Sequence, residues 1–339
     1  MKKILVTGGA GFIGSHTVVE LVQAGYKPII LDNFSNSDPA VVGKIESIIG
    51  SKIPLYKGDF QDEKLLANIF SVEKPVGVIH FAAFKAVGES VANPLKYYAN
   101  NVASLISLLK MMEAHKIGAL VFSSSCTIYG EPDHLPVTES SPVKPAESPY
   151  GSTKQMCEVI IRDTTAASQT LKSLSLRYFN PIGAHASALI GELPIGVPAN
   201  LIPFVAQAAA GLRNELTVFG DDYPTPDGTN IRDYIHVVDL ARAHIKALEF
   251  TQRQKPKTYD VINVGTGKGS SVLEVIKTFE KVNKVKVPYK IGPRRAGDIV
   301  STYADVTKAK TLLGWQAEKS LANGVANAWR WQQTLGKNT

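Results

Sequence analysis

The stretch Thr7-Gly8-Gly9-Ala10-Gly11-Phe12-Ile13-Gly14 decides the fold class of this chain. It follows an apolar run at 3–6 and precedes residues 12–24, whose apolar positions recur at helical spacing. Glycines at such a junction allow a tight turn and let the backbone approach a pyrophosphate, which then meets the free N–H groups of the helix. Because the loop joins a strand to a helix, it predicts a dinucleotide-binding unit.

Strand-like and helical patterns alternate through the first half of the chain. Further strand-like runs lie at 28–31, 53–56, 76–81 and 120–122, with helical patterns at 63–72 and 94–116. This alternation predicts an α/β fold, a Rossmann-like doubly wound parallel sheet with right-handed crossovers. The strands should be buried on both faces, which suits their unbroken apolar runs.

The helical pattern at 94–116 is long. Asn93 is expected to cap it, with Pro94 at the first helical position. One apolar stripe along it is expected to pack on the sheet, with a subunit interface as the alternative role. The stripe consists of Leu95, Tyr98, Val102, Leu105, Leu109 and Met112.

Two acidic residues indicate which dinucleotide binds. Asp32 ends the second strand-like run, where a carboxylate can accept hydrogen bonds from the adenosine ribose and would repel a 2′-phosphate. No arginine neighbours it, so NAD is expected rather than NADP. Asp59 follows the third run and could either accept the adenine amino proton or cap a helix.

A serine, a tyrosine and a lysine predict acid–base chemistry. Ser123-Ser124-Ser125 ends a strand, and Tyr150 and Lys154 follow at positions i and i+4 of one helix face. A free tyrosine, with a pKa near ~10, is a poor base, but a nearby ammonium and a positive nicotinamide ring favour the phenolate. Tyr150 is then a usable general base, and Ser125 can share the proton transfer and hold the substrate oxygen.

The second half of the chain differs from the first in composition. Residues 180–230 are rich in Pro and Gly, and helical patterns at 237–250, 272–282 and 304–313 and a strand-like run at 260–264 follow. We expect residues 1–180, with returns near 231–264, to form the NAD-binding domain. Residues 181–339 should form mainly a smaller α/β substrate-binding domain.

The charge balance is basic, with 37 Lys and Arg against 30 Asp and Glu, a net charge of +7. Such a balance admits nucleic acid, an anionic membrane or a small anionic ligand. Outside 277–295, which we interpret as a solvated face, the basic residues form no patch with interleaved aromatics, so no nucleic-acid partner is expected. No apolar run approaches the ~20 residues that cross a bilayer, so no membrane partner is expected.

Cysteine and histidine usage excludes two further classes. Cys126 and Cys157 are the only cysteines, which excludes a disulfide framework and predicts a reducing, cytoplasmic compartment. The seven histidines are scattered and none forms a His-x-x-x-His pair with a Glu, so no metal is expected.

These motifs resemble those of the extended short-chain dehydrogenase/reductases and, within them, the UDP-glucose 4-epimerase family. The resemblance covers nearly the whole chain, and its most specific segments are 85–90 and 219–228. It implies interconversion of UDP-glucose and UDP-galactose. Tyr150, with Ser125, would take the proton of the sugar 4-hydroxyl while the C4 hydride moves to tightly bound NAD. The 4-keto sugar would turn over, and the hydride would return to its other face.

The same resemblance implies the binding residues. Those for NAD would be Gly8, Gly11, Phe12, Ile13, Gly14, Asp32, Asn33, Asn36, Ser37, Asp59, Phe60, Phe81, Ala82, Ala83, Lys85, Asn100, Ser123, Tyr150, Lys154 and Tyr178. Those for the UDP-sugar would be Lys85, Ser125, Tyr150, Asn180, Asn200, Leu201, Phe219, Arg232, Arg295, Asp298 and Thr302. Phe219 would lie by the uracil, and Arg232 and Arg295 would grip the diphosphate in bidentate forks. A homodimer through helix 94–116 and the helix that carries Lys154 is also implied.

Several alternatives stay open. Thr302 stands where a bulky tyrosine goes with exclusion of an N-acetyl group, so UDP-N-acetylglucosamine could be a substrate, as could a UDP-pentose or UDP-uronate. A nucleotide-sugar 4,6-dehydratase would carry an Asp-Glu pair where Cys126-Thr127-Ile128 stands. A dinucleotide sensor without chemistry would be expected to lose the pair Tyr150 and Lys154.

Overall fold

A parallel sheet of seven strands forms the centre of the protein, whose computed structural model describes residues 1–295 and 297–335. Residues 296 and 336–339, which belong to the predicted substrate domain, lie outside the described residues. The strands, in chain order, are β1 (Lys3–Thr7), β2 (Lys27–Asp32), β3 (Leu55–Lys57), β4 (Gly77–His80), β5 (Ala119–Ser123), β6 (Lys172–Tyr178), β7 (Asn180–Ile182), β8 (Leu216–Phe219), β9 (Ile231–Arg232), β10 (Tyr234–His236), β11 (Tyr259–Val264), β12 (Ser270–Ser271), β13 (Tyr289–Gly292) and β14 (Ser301–Thr302).

Helices connect these strands. They are α1 (Phe12–Gln23), α2 (Ala40–Ile49), α3 (Glu63–Glu73), α4 (Val87–Ala92), α5 (Pro94–Tyr97), α6 (Ser104–Ala114), α7 (Pro149–Ala167), α8 (Leu201–Ala209), α9 (Val237–Arg253), α10 (Val272–Asn283) and α11 (Leu321–Leu335). Two π-helical turns cover Tyr98–Ala103 and Ala309–Leu313, and a 3₁₀ turn covers Cys126–Tyr129. None of the helices in the described part of the chain is long and apolar enough to span a bilayer.

The central sheet is covered on both faces. Ile4 and Val6 of β1 pack into a core with α1, α2 and α9, while Leu5 between them packs into a second core with α3, α6 and α7. Successive side chains of a strand point to opposite faces, so an unbroken apolar run supplies both cores. The predicted α/β class is confirmed.

The order of the central sheet sets the position of the site. The sheet runs β3-β2-β1-β4-β5-β6-β11, so the chain moves outward from β1 in one direction and then returns to the other side of β1. Ligands of such sheets bind beyond the carboxyl ends of the strands at this reversal. Here the glycine loop follows β1, and the segment that carries Lys85 follows β4.

A third core supports the second half of the chain. Helices α8, α10 and α11 enclose Val205, Val275, Phe279 and Val325, with Val218 of β8 against them. Three small sheets flank this core, in the orders β10-β7, β12-β9-β14 and β13-β8. They bring β9 and β14 side by side, with Arg232 in register with Thr302.

The expected helix at 94–116 is corrected in three respects. A π-helical turn interrupts it at Tyr98–Ala103, and Asn93 makes no side-chain capping bond. Leu95 is 80% exposed and does not belong to the buried stripe, whereas Leu105, Leu109 and Met112 are buried. In this wider turn both Asn100 and Asn101 are buried. A regular α-helix buries one narrow face, so it would not favour the burial of two consecutive residues.

One other expectation about the second half needs revision. The helix expected at 304–313 begins only at residue 307, because Ala304 instead forms a β-bridge with Val137. The stretch 180–230 contains α8, and neither this helix nor the closing helix α11 was predicted.

The glycine loop offers a direct test of this packing. A Cβ on Gly14 would overlap the Gly8 carbonyl oxygen and lie 2.9 Å from the Gly9 Cα. We therefore expect Gly14→Ala to lower the free energy of unfolding by about 2 kcal/mol or more. As the control, Gly43 of α2 has no atom within 4 Å of an added Cβ, so Gly43→Ala should raise that free energy by about 0.5–1 kcal/mol. Urea denaturation measures both, and equal effects of the two substitutions would contradict this prediction.

Candidate active site

The glycine loop lies tightly against the segment that follows β4. Gly8 has φ +71°, and its N–H donates to the Leu31 carbonyl at 2.8 Å. A Cβ at Gly8 would lie only 2.8 Å from the Ala82 backbone nitrogen. Only glycine meets both the left-handed conformation and this close approach at low cost. The loop therefore leaves its backbone N–H groups at the start of α1 free to face an anion.

Asp32 holds the two loops beside it together. Its carboxylate accepts from the N–H groups of Ala10 and Phe34, both at 2.9 Å, and from Ser37 Oγ at 3.1 Å. The residue is 8% exposed and lies at the carboxyl end of β2. This placement fits the ribose-binding role, which stays a prediction.

Asp59 is not a helix cap. It accepts from Asn33 Nδ2 at 2.9 Å and from the Gln61 N–H at 2.9 Å, while Asp62 caps α3. The contact of Asp59 with an adenine stays a prediction.

The predicted NAD residues gather along one edge of the sheet. They come after β1 (Gly8, Gly11, Phe12, Ile13, Gly14), at the end of β2 and after it (Asp32, Asn33, Asn36, Ser37), after β3 (Asp59, Phe60), after β4 (Phe81, Ala82, Ala83, Lys85) and at the ends of β5 and β6 (Ser123, Tyr178). Because carboxyl ends of parallel strands share an edge, residues distant in sequence meet there.

Helix α7 positions the tyrosine and the lysine. Its N-terminus is capped by Ser148, whose Oγ accepts from the Gly151 N–H at 3.2 Å. Tyr150 and Lys154 are buried, at 6% and 4% exposure. Lys154 Nζ donates to the Ser123 carbonyl at 2.7 Å and lies 6.0 Å from the centre of the Tyr150 ring.

Ser125 completes this group at the start of the 3₁₀ turn. Its Oγ accepts from the Thr127 N–H at 3.2 Å and from Thr127 Oγ1 at 2.9 Å. The Ser125 hydroxyl also lies near enough to Tyr150 to lower the pKa of that phenol. The structure thus brings together Ser125, Tyr150 and Lys154, as the sequence predicted.

Burial shifts the pKa values of both Tyr150 and Lys154 away from their ordinary values. Burial raises the pKa of Tyr150 well above its ordinary value, and the neighbouring Ser125 hydroxyl opposes this only in part. Burial lowers the pKa of Lys154 to about 8, against the charges of Cys157 and Glu158. Lys154 therefore still carries its charge at pH 7, although it begins to lose it just above that pH. Because Tyr150 is disfavoured as a phenolate by burial, a working phenolate requires positive charge in the site beyond that of Lys154.

A second cluster forms where β8, β9 and β14 approach one another. Arg295 Nη2 lies 2.7 Å from Asp298 Oδ1, and Arg232 Nη2 lies 3.9 Å from the same oxygen. The Arg295 guanidinium lies 5.7 Å from the ring centre of Phe219, which is 42% exposed. Thr302, beside Arg232, is 4% exposed. This arrangement, with two guanidinium groups and an open aromatic face, suits a nucleotide diphosphate.

Burial raises the pKa of the Cys126 thiol to about 12, and the charge of Arg232 opposes the shift. Cys126 follows Ser125 directly, so the charge of Arg232 acts on the turn that begins beside the Ser–Tyr–Lys group.

A carboxylate that the sequence analysis did not identify spans the site. Glu192 Oε1 lies 3.2 Å from Lys85 Nζ and accepts from Asn200 Nδ2 at 2.5 Å. Lys85 follows β4 and Asn200 precedes α8 and its first residue, Leu201, so Glu192 joins the two halves of the chain. Its only signal in sequence is an acid between the glycines and prolines of 191–198.

Asn101 is a second such residue. Its side chain accepts from the Phe84 N–H at 2.9 Å and donates to the Phe84 carbonyl at 3.0 Å, and it also donates to Thr153 Oγ1 at 3.0 Å. Asn100, which was predicted, donates to Asn101 Oδ1 at 2.9 Å. Asn101 thereby fixes the loop before Lys85 against α7. Two adjacent asparagines within an apolar helical pattern were the available signal.

One buried histidine, His236, bonds within the fold. His236 caps α9 by accepting from the Val238 N–H at 3.1 Å and contacts Asn327 Nδ2 at 3.2 Å. It is thus a hydrogen-bonding residue of the fold. Within residues 1–295 and 297–335, no group of three or more His, Cys, Asp or Glu side chains is placed to hold a metal ion.

Comparisons with known proteins agree on one family. The family model described as GDP-mannose 4,6 dehydratase matches residues 5–328. The UDP-glucose 4-epimerase of Bacillus subtilis is 50% identical over 331 residues, which cover 98% of this chain and 97% of that protein. A UDP-glucose 4-epimerase from Stenotrophomonas maltophila, crystallised with NAD and formylated UDP-arabinopyranose, has 47% identity and a TM-score of 0.97 with all of both chains covered. One from Bifidobacterium longum with NAD⁺ and UDP has 48% identity and a TM-score of 0.95, again with full coverage.

Because Lys154 is buried, we expect its replacement by an apolar residue to stabilise the fold by an amount that depends on pH. The pKa of Lys154 falls from an ordinary 10.5 to about 8, so the folded state binds fewer protons than the unfolded state between these values, and stability rises with pH across them. Below pH 8 the charged lysine bears the full penalty of burial. We expect Lys154→Met to stabilise the fold by up to about 3 kcal/mol at pH 7, and this gain should vanish by about pH 10.5.

Urea denaturation at pH 7 and pH 10.5 checks this. Lys281→Met, at an exposed position of α10, is the matched control and should change stability little at either pH. A Lys154→Met protein that is less stable than the parent at pH 7 would refute the interpretation.

Proposed function

The chain belongs to the UDP-glucose 4-epimerase family, and we propose that the site described above carries out the family's reaction with Ser125, Tyr150 and Lys154 as its catalytic residues. The enzyme interconverts UDP-glucose and UDP-galactose at C4 and uses NAD. The observation that supports the site assignment most strongly is the meeting of these three side chains at the sheet edge where the glycine loop also lies.

The roles of the three residues follow from their contacts. Tyr150 takes the proton of the sugar 4-hydroxyl, and the neighbouring Ser125 hydroxyl holds the same oxygen and shares the proton. Lys154, anchored on the Ser123 carbonyl, supplies positive charge near the Tyr150 ring. NAD, when bound, would supply the acceptor and donor of the C4 hydride, and its positive nicotinamide ring would favour the phenolate of Tyr150.

The residues of the chain fit this cofactor. Gly8 leaves the space that a Cβ would fill against the Ala82 backbone, and α1 begins directly after the loop with no side-chain cap. A pyrophosphate can thus reach the N–H groups of the helix. The carboxylate of Asp32 and the absence of a neighbouring arginine support NAD over NADP.

The second cluster anchors the substrate while its sugar turns. Arg232 and Arg295 share Asp298 and can turn their remaining N–H groups to the two phosphates. Phe219 offers an exposed ring to the uracil. Phe219, Arg232 and Arg295 lie far from α7 in sequence. Separate segments of the chain therefore supply substrate binding and proton transfer.

A 4,6-dehydratase activity is less well supported. The matching family model is described as GDP-mannose 4,6 dehydratase, and the match indicates that this chain shares the fold of that family. However, the 3₁₀ turn Cys126–Tyr129 carries no carboxylate where elimination of water needs an acid. The relatives that share 50% and 48% of their residues with this chain are epimerases.

The comparisons do not favour UDP-N-acetylglucosamine as the principal substrate, because the relatives at 50%, 48% and 47% identity are named for UDP-glucose. Thr302, a small and buried residue beside Arg232, supports some tolerance of a larger sugar.

The two free cysteines support a reducing compartment such as the cytoplasm.

The surface of α6 and α7 supports a homodimer. Ile106, Met156 and Val159 are apolar and 39–45% exposed on these helices. Burial of such a shared face in a two-fold interface would stabilise the pair. Light scattering should give about twice the chain mass of 36.6 kDa, and Met156→Glu should lower it toward one chain. A parent protein that scatters as a monomer would exclude the dimer.

Tyr150→Phe tests the catalytic assignment. It removes the proton-accepting oxygen and keeps the ring, so we expect turnover of UDP-galactose to fall by about 10²–10⁴-fold while NAD binding persists. Tyr289→Phe, which alters a 43% exposed tyrosine on β13, should retain full activity. Conversion of UDP-galactose to UDP-glucose and the bound NAD are measured in parallel; undiminished turnover in Tyr150→Phe would overturn the role.

A further inference from the structure

A buried ion pair lies behind the serines at the end of β5 and has no part in the reaction described above. Arg177 of β6 and Glu158 of α7 are 6% and 7% exposed. Arg177 Nη2 lies 2.6 Å from Glu158 Oε2, and Arg177 Nε lies 3.1 Å from Glu158 Oε1. Buried ion pairs add little net stability compared with apolar residues of similar size, because both charges lose their hydration. Stability alone is therefore a weak reason for this pair.

The pair holds the residue immediately before the catalytic serine. Glu158 Oε1 accepts from Ser124 Oγ at 2.5 Å, and Ser124 is fully buried. Glu158 follows Lys154 by four residues, so both side chains leave the same face of α7. Lys154 binds the Ser123 carbonyl at 2.7 Å. Helix α7 thus binds the serine segment at two consecutive residues.

The pair also holds the segment that follows the catalytic serine. Arg177 Nη1 donates to the Tyr129 hydroxyl at 3.0 Å, and that hydroxyl donates to Asn263 Oδ1 at 2.7 Å. Tyr129 is 1% exposed and ends the 3₁₀ turn that begins directly after Ser125. Ser125 therefore lies between two positions, Ser124 and Tyr129, that one ion pair fixes.

We propose that Glu158 and Arg177 are positioning residues that fix Ser125 for proton transfer by holding Ser124 on one side and Tyr129 on the other. This inference rests on the proposed function, since it gives Ser125 a part in the reaction. The pair touches neither substrate nor cofactor in this account. Its loss should lower the rate of the chemical step and leave substrate binding at the arginine cluster unchanged.

The test separates positioning from stability. Glu158→Leu with Arg177→Met removes both charges together and leaves none unpaired, so the fold should stay about as stable as the parent. We expect kcat for UDP-galactose to fall by about 10–100-fold with an unchanged KM. Ser124→Ala, which leaves the ion pair intact, should lower kcat in the same direction by a smaller factor. Normal kcat in a stable double variant would overturn the proposal.

A second measurement needs no turnover. Hydrogen exchange of the backbone amides at 124–129 is compared between the NAD-loaded parent and the double variant, and we expect faster exchange in the variant at this segment. Unchanged exchange would contradict the positioning role. If the parent fails to convert UDP-galactose, the proposed function is wrong, and the exchange result still decides whether the pair holds this segment.

Discussion

The hydrogen bond from Lys154 Nζ to the Ser123 carbonyl, 2.7 Å long, is the contact on which the rest of the site depends. It joins α7 to the carboxyl end of β5 and places an amine beside the Tyr150 ring in a buried position. Burial disfavours the charged forms of both Lys154 and Tyr150. Tyr150 would therefore not act as a base without help from the rest of the site. Under the proposed function, Lys154 and bound NAD would supply the positive charge that Tyr150 needs. Segments that are distant in sequence must therefore converge on this phenol.

The sheet accomplishes this convergence. The reversal of strand order at β1 and β4 collects loops from the first half of the chain along one edge. The second half contributes Arg232 and Arg295, held by the shared carboxylate of Asp298. Glu192, between Lys85 and Asn200, joins the two halves across the site. Under the proposed function, part of the excess of basic residues would therefore face a cofactor and a substrate that both carry diphosphates.

Much of this could be predicted from sequence because its signals are local. The strand periods, the glycine loop at 8–14 and the spacing of Tyr150 and Lys154 depend on neighbours within one or two turns. The positions of Arg232, Arg295 and Thr302 came only from the family resemblance, since no local pattern marks them.

Other features could not be predicted because they depend on contacts between distant segments. The π-helical turn at Tyr98–Ala103 accompanies the bonds of Asn101 to Phe84 and Thr153. Helix α11 packs on α10 and α8, which a pattern read along the chain does not reveal. The pair Glu158 and Arg177 is separated by 19 residues and reads in sequence as two ordinary surface charges.

The central claim is that a hydride leaves C4 of the sugar and returns to the same carbon from a cofactor that stays in the site. Its most direct test is to supply UDP-galactose with deuterium at C4 and to measure the label in the UDP-glucose formed. The account predicts that the product keeps its deuterium at C4 and that none passes to water. Loss of the label to solvent would contradict it.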